Sequence, residues 1–199
     1  MTNKFVDWGV ATMPHPGERV SGDRCLMQSH AGGLLIAGVD GVGHGPEAAR
    51  VAEAVVDVLS AHAAQPLDLL LGHCHDALIG TRGAVALVLA YSASERVLGW
   101  TGLGHVIGAV IRVDPLARPA RELLLPLPGV LGLARAARHQ GFLTVSPGDL
   151  LVLATDGIRS EFVETVRPAE DPVALAGRLL TSHCKGTDDA LVLAARFRG

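Results

Sequence analysis

LLIAGVDG, at residues 34–41, and LLVLATDG, at residues 150–157, share one layout in which an apolar run of strand length ends in Asp-Gly. Apolar runs of about four to eight residues bounded by turn residues are typical of strands that are buried on both faces. An aspartate at the end of each run predicts that Asp40 and Asp156 lie at one edge of a sheet. Clustered carboxylate oxygens are the ligands that hard cations prefer. The two stretches therefore predict a buried sheet with an acidic site at its edge.

Carboxylates gathered in this way need a counter-charge. Two like charges about 4 Å apart repel by roughly 4 kcal/mol at an effective dielectric constant near 20, so the cluster must hold cations or protons. Residues 185–197 (KGTDDALVLAARF) offer a third carboxylate just before the last apolar run, from either Asp188 or Asp189. A strand that enters from the same edge would bring that carboxylate to the site.

The composition argues against several other classes of protein. The 199 residues carry a net charge of −3 and are 49% hydrophobic, which suits a single domain over residues 1–199 with a well-filled core. The chain has no basic cluster, so no nucleic-acid partner is expected. The three cysteines form no CxxC pair, which argues against a disulfide framework or a zinc ribbon.

The N-terminal residues lack the layout of a signal peptide, and no apolar run approaches the roughly 20 residues that span a bilayer. No membrane contact is therefore expected, and the cytoplasm is the expected location. The sequence shows no coiled-coil signal, and a monomer is the expected state.

Short apolar runs alternate with helical segments along the chain. The patterns predict strands at about 4–11, 24–29, 33–39, 83–91, 96–101, 106–113, 142–145, 149–155 and 190–197. Helices are predicted at about 46–63, 67–79 and 172–183. Pro46 suits the first position of its helix because proline has no N–H to lose there. Antiparallel strands with helices packed on them predict an α+β layered sandwich.

The loop from Asp40 to Gly45 contains three glycines in the five residues after the aspartate. Glycine lets backbone groups approach an ion or a phosphate closely. A glycine-rich turn alone is equally compatible with a tight turn that binds nothing. The aspartate at its start favours a metal.

Six motifs in chain order resemble the metal-dependent protein phosphatases (PPM), in particular their SpoIIE-like branch. They are Ser21-Gly22-Asp23, residues 39–45 (VDGVGHG), residues 101–105 (TGLGH), residues 129–132 (GVLG), Pro147-Gly148-Asp149 with Thr155-Asp156-Gly157, and Thr187-Asp188-Asp189. Any one of these motifs is common, whereas their order along nearly the whole chain is specific. Residues 81–84 (TRGA) are also similar to the stand-alone subgroup typified by RsbX, which acts on the stressosome.

The resemblance implies a four-layer αββα sandwich of the PPM phosphatase type with two Mn²⁺ or Mg²⁺ ions at one edge. It implies that Asp40 bridges the ions and that the Gly41 carbonyl binds one of them. It also implies that Asp156 and Asp188 complete the coordination of the other ion. Asp23 would lie beside the two ions as an outer ligand or acidic neighbour. Asp40, Asp156 and Asp188 are thus the expected catalytic residues.

The implied activity is hydrolysis of phosphoserine or phosphothreonine on STAS-domain proteins of the stressosome. Phosphate monoesters are among the slowest biological compounds to hydrolyse without a catalyst. Two cations can lower the pKa of a shared water and neutralise charge on the phosphoryl oxygens, so direct attack by metal-bound hydroxide, without a phosphoenzyme, is expected. Oxygen ligands favour Mg²⁺ or Mn²⁺ over zinc.

Other functions stay open at this point. An aspartyl-phosphate type phosphohydrolase would use a strand-end aspartate as its nucleophile, although a second acid usually follows two residues later, where this chain has Val42. A catalytically degenerate module would bind a phosphoprotein without turnover. His44 and His105 are expected to be structural. Residues 73–75 (HCH) are not expected to bind zinc because residues two apart on a helix face different ways.

Overall fold

The computed structural model describes residues 1–133 and 139–199, which contain ten strands and four helices. In chain order these are β1 (Val6–Met13), β2 (Asp23–His30), β3 (Gly33–Gly41), α1 (Gly45–Ala61), α2 (Leu67–Ala77), β4 (Ala84–Ser92), β5 (Val97–Leu103), β6 (Ile107–Ile111), β7 (Arg121–Leu124), β8 (Gly141–Thr144), β9 (Leu150–Ala154), α3 (Phe162–Thr165), α4 (Pro172–His183) and β10 (Ala190–Phe197).

The strands form two five-stranded sheets in which every neighbouring pair is antiparallel. One sheet has the order β1-β10-β9-β6-β7 and the other β2-β3-β4-β5-β8. Helices α1 and α2 pack on the second sheet, while α4 packs on β1 and β10 of the first. The predicted α+β, four-layer αββα sandwich is confirmed.

The alternating directions of the β3 side chains show why the two sheets stack face to face. Leu34 and Ile36 point into the core between the two sheets, whereas Leu35, Ala37 and Val39 point into the core under α1 and α2. In β9, Leu151 and Leu153 face the other sheet, while Leu150, Val152 and Ala154 face α4. Successive side chains of a strand point to opposite faces, so a strand buried on both faces reads as one apolar run.

Helices α1, α2 and α4 begin within one residue of their predicted starts. Pro46 occupies the first turn of α1, and the helix buries Ala48, Ala52, Val55 and Leu59. Helix α4 begins after Asp171, whose side chain accepts hydrogen bonds from two backbone N–H groups of the first turn. Such caps satisfy donors that the helix itself leaves free.

Two short elements, β7 and α3, were not predicted from the sequence. Each has four residues, too few for a periodic pattern, and tertiary contacts hold them. The Arg121 guanidinium of β7 donates to the Val163 carbonyl of α3 at 3.1 Å. Within residues 1–133 and 139–199, every helix is too short or too polar to span a bilayer.

Candidate metal centre

Five strand ends meet at one edge of the sandwich and carry the acidic residues with them. Asp23 begins β2 and lies directly opposite Asp40 at the end of β3. Asp156 follows β9, and Asp188 precedes the neighbouring strand β10. The turn after β5 brings His105 to the same edge. Antiparallel pairing therefore gathers residues that are far apart in the sequence.

The strand ends surround a cavity of about 260 Å³. Its lining residues are His15, Asp40, Val42, Gly43, His44, Val85, His105, Asp156, Thr187 and Asp188. The lining thus includes three of the predicted carboxylates and three histidines. Asp23 and Gly41 are not among the lining residues.

The Asp40 carboxyl lies deep in the cavity, with only 16% of its side chain exposed. Burial, and to a smaller extent the nearby Asp23, Asp156, Asp188 and Asp189, raise its pKa from 3.8 to about 9. A low-dielectric site disfavours the charged form, and like charges add to that penalty. Without a cation, this carboxyl therefore holds a proton near neutral pH.

The Asp23 carboxyl is buried beside Asp40, and its pKa is raised to about 7. Burial is the main cause, and the hydrogen bond that Thr155 Oγ1 donates to Asp23 Oδ2 at 2.7 Å opposes it. The same Thr155 oxygen accepts the Leu191 N–H at 2.9 Å. The other oxygen, Asp23 Oδ1, has no hydrogen-bond partner among the described residues.

The neighbours Asp188 and Asp189 have different surroundings. Asp188 lines the cavity, and its Oδ1 accepts the Asp189 N–H at 2.8 Å. Asp189 is buried, and its Oδ1 accepts the His15 N–H at 2.7 Å, which ties the segment before β2 to the site. The second Asp189 oxygen finds no partner within the described part of the chain. This geometry favours Asp188 over Asp189 as the group that faces a ligand.

Gly41 lies where β3 meets α1. Its N–H donates to the Gly22 carbonyl at 3.2 Å. A β-carbon at position 41 would lie 2.2 Å from the Ala48 carbonyl oxygen, which no packing tolerates. The close approach of strand and helix therefore requires glycine here.

His105, which was expected to be structural, lies beside two carboxylates of the site. Its Nδ1 lies 3.2 Å from Asp156 Oδ2 and 3.9 Å from Asp40 Oδ2. Gly104 before it has φ +96°, and a β-carbon there would lie 2.3 Å from Val85. The Gly-His pair after β5 was the available signal, because only glycine makes this turn toward the cavity.

His44 has a different setting. Its Nδ1 lies 2.9 Å from Glu18 Oε1, and its ring stacks on that of His15 with centroids 4.1 Å apart. These contacts fit the expected structural role, although both rings line the cavity.

Other predicted motifs support the fold. Asp149 accepts hydrogen bonds from Arg112 and from the N–H groups of Val113 and Ser146. In the 129–132 segment, Leu131 exchanges backbone hydrogen bonds with Ala84. The His75 Nδ1 accepts the Gly132 N–H at 3.2 Å.

The site fits a divalent cation on three observations of this structure. Carboxylates converge on one cavity, two buried carboxylate oxygens have no described partner, and burial raises the pKa values of Asp23 and Asp40. Oxygen-rich donor sets suit Mg²⁺ and Mn²⁺. A cation would relieve the repulsion that protons relieve otherwise.

Comparison with known proteins identifies the family. The family model described as Stage II sporulation protein E (SpoIIE) matches residues 30–198. The chain belongs to the SpoIIE family. It is 25% identical over 158 residues to the phosphoserine phosphatase RsbX of Bacillus subtilis (strain 168), covering 78% of this chain and 76% of RsbX.

Two solved structures show the same fold along nearly the whole SpoIIE-family chain. One, from work on the bacterial stressosome as a modular system adapted to control secondary messenger signaling, is 27% identical with a TM-score of 0.86, covering 96% of this chain and 99% of its own. RsbX in complex with magnesium is 20% identical with a TM-score of 0.86, covering 99% and 98%. By family and fold, the chain is a PPM-type protein serine/threonine phosphatase related to RsbX.

Proposed function

We propose that residues 1–199 act as one catalytic domain, a metal-dependent phosphatase that removes phosphate from phosphoserine or phosphothreonine of STAS-domain stressosome proteins. The 27% identical structure comes from work on a stressosome, and RsbX is a phosphoserine phosphatase. The cytoplasm is the location that we propose with such partners, and a monomer is the proposed state.

The single observation that carries this proposal is the convergence of Asp40, Asp156 and Asp188 on one cavity of about 260 Å³. A phosphoryl group is itself anionic, so it enters an acidic cavity only together with cations. The acidic lining therefore supports a metal-dependent reaction on a phosphoryl substrate.

The residues that would hold two Mn²⁺ or Mg²⁺ ions are Asp40, Asp156, Asp188 and the Gly41 carbonyl, with Asp23 beside them. In solved structures of the same fold, RsbX binds magnesium, and the catalytic domain of the serine/threonine protein phosphatase PstP binds two manganese ions. Such ions supply an activated water and neutralise charge on the phosphoryl oxygens.

The chain's own residues prepare the site for that chemistry. Thr155 holds Asp23 at the back of the site through its 2.7 Å hydrogen bond. The His15 N–H holds Asp189 and so fixes the turn that presents Asp188. The buried position of Asp40 keeps water from screening its charge, which strengthens its attraction to a cation.

The test is phosphate release from a phosphoserine STAS-domain protein with Mn²⁺, with Mg²⁺ and with chelator. Asp40→Asn removes the central carboxylate with little change of shape. Asp57→Asn, on the exposed side of α1, removes the same charge away from the site and serves as the control. We expect metal-dependent turnover in the wild type and in the control, and none in Asp40→Asn or with chelator.

Two results would favour the other functions. Binding of the phosphoprotein without turnover under every metal condition would identify a degenerate binding module. Transfer of labelled phosphate onto the protein, lost in Asp40→Asn, would identify an aspartyl-phosphate type reaction.

A further inference from the structure

His105 lies within 4 Å of two carboxylates of the proposed metal site. One group of three potential ligand atoms, from Asp40, His105 and Asp156, is found in the part of the chain that the structure describes, and its atoms lie within 4.8 Å of one another. We propose that His105 binds the cation directly through Nδ1, together with Asp156 and Asp40, which gives this phosphatase a mixed nitrogen–oxygen site. The inference rests on the proposed metal-dependent function.

The two separations measured from His105 Nδ1 are compatible with ligands of one ion. In an octahedral site with bonds of about 2.1 Å, adjacent ligands are about 3.0 Å apart and opposite ligands about 4.2 Å apart. His105 Nδ1 lies 3.2 Å from Asp156 Oδ2 and 3.9 Å from Asp40 Oδ2. Both separations fall between these two values.

The backbone turn at Gly104 brings His105 to this edge of the sandwich, and 55% of the His105 side chain is exposed. Strand β5 ends at Leu103, and the Gly104 N–H donates to the Leu127 carbonyl at 2.8 Å. The positive φ of Gly104 and its close packing on Val85 fix the direction in which the chain leaves the strand. This turn fixes the His105 backbone at the edge of the sandwich where Asp40 and Asp156 lie.

The other two histidines of the cavity provide natural controls. The Nδ1 of His44 already contacts Glu18 Oε1, and the His15 ring stacks on His44. Neither belongs to the group formed with Asp40 and Asp156. Among the three histidines that line the cavity in the described part of the chain, only His105 also contacts two of its carboxylates.

A nitrogen ligand has a consequence for metal choice. Imidazole suits Fe²⁺, Ni²⁺ and Zn²⁺, whereas Mg²⁺ and Mn²⁺ are typically bound by oxygen ligands. Removal of His105 should therefore weaken Ni²⁺ binding by a larger factor than Mg²⁺ binding.

The experiment loads the full chain with Mn²⁺ and measures both affinity and the nitrogen hyperfine coupling by pulsed electron paramagnetic resonance. The wild type should show coupling from a directly bound ¹⁴N. His105→Ala should lose this coupling and about tenfold or more in Mn²⁺ affinity, a loss comparable with that for groups supporting metal ligands. His44→Ala should keep the coupling. His105→Asp should bind Mn²⁺ without the coupling and recover Mg²⁺ affinity, because it supplies an oxygen at the same point.

Each contrary result has a distinct meaning. Mn²⁺ bound in an Asp40-dependent manner without nitrogen coupling would overturn the role of His105 and leave the proposed function standing. Coupling that survives in His105→Ala and disappears in His15→Ala or His44→Ala would also overturn it. No Mn²⁺ binding by the wild type would overturn both the His105 proposal and the metal-dependent function.

Discussion

Asp40→Asn in the metal-free protein should increase stability at neutral pH, although it removes a residue of the proposed active site. The pKa of Asp40 rises from 3.8 to about 9 on folding, with burial as the main cause. A carboxyl whose pKa is raised in the folded state lowers stability as pH rises above the unfolded value. The carboxyl is therefore a source of instability until a cation binds.

The pKa shift of Asp40 sets the size of the effect. Between pH 3.8 and pH 7.5 the penalty grows by about 1.4 kcal/mol per pH unit, which gives an upper bound of about 5 kcal/mol. The asparagine amide must also be buried, and it finds incomplete hydrogen bonding there. We therefore expect a net gain of about 2 kcal/mol in the free energy of unfolding, or about 4–8 °C in Tm for a chain of this size.

The assay is thermal unfolding followed by circular dichroism in chelator from pH 4 to pH 9. The gain of Asp40→Asn should vanish near pH 4, where the wild-type carboxyl is protonated in both states, and grow as pH rises toward 9. Asp57→Asn, on the exposed face of α1, should change stability by less than about 0.5 kcal/mol at every pH.

Added metal should make the wild type more stable than Asp40→Asn. An ion at 100 times its Kd stabilises the folded wild type by about 2.7 kcal/mol, and Asp40→Asn should lose most of this gain. If Asp40→Asn instead melted below the wild type in chelator at pH 8, the carboxylate would have favourable partners, and the electrostatic account of the site would be wrong.

Three further predictions address proton release, the support of Asp23 and the strand–helix contact. Metal binding at pH 6.5 should release about one to two protons, because pKa values of about 7 for Asp23 and about 9 for Asp40 keep both carboxyls largely protonated. Calorimetric titration in buffers of different ionisation enthalpy measures the number of protons released, and zero release would contradict this prediction. Thr155→Val should lower the free energy of unfolding by about 1–3 kcal/mol in chemical denaturation, because it leaves Asp23 Oδ2 and the Leu191 N–H unpaired, and Thr155→Ser should restore most of the loss. Gly41→Ala should lower the free energy of unfolding by about 1–3 kcal/mol, because its β-carbon would meet the Ala48 carbonyl. Gly177→Ala, which has open space around it in α4, should be neutral or stabilising by up to about 1 kcal/mol. Equal effects of the two substitutions would refute the packing argument.

Local patterns in the sequence were sufficient to predict the layers of the sandwich. The apolar run of β3 places Leu34 and Ile36 on one face and Leu35 and Ala37 on the other, so its burial between two layers follows from its composition. Pro46 marks the start of α1 for a reason that involves only its own backbone. The elements β7 and α3 have no such pattern, because contacts such as that between Arg121 and Val163 hold them.

Some features of the acidic site also follow from the sequence, whereas others depend on the tertiary structure. The sequence by itself determined that apolar strands end in Asp40 and Asp156, since the residue types and their order state it directly. Only the tertiary structure decided that Asp188 rather than Asp189 lines the cavity, that Asp23 is paired with Asp40 across β2 and β3, and that His105 contacts two carboxylates. Strand periodicity specifies which face of a strand is buried, whereas the distances between strand ends depend on how the strands pair and how the two sheets pack.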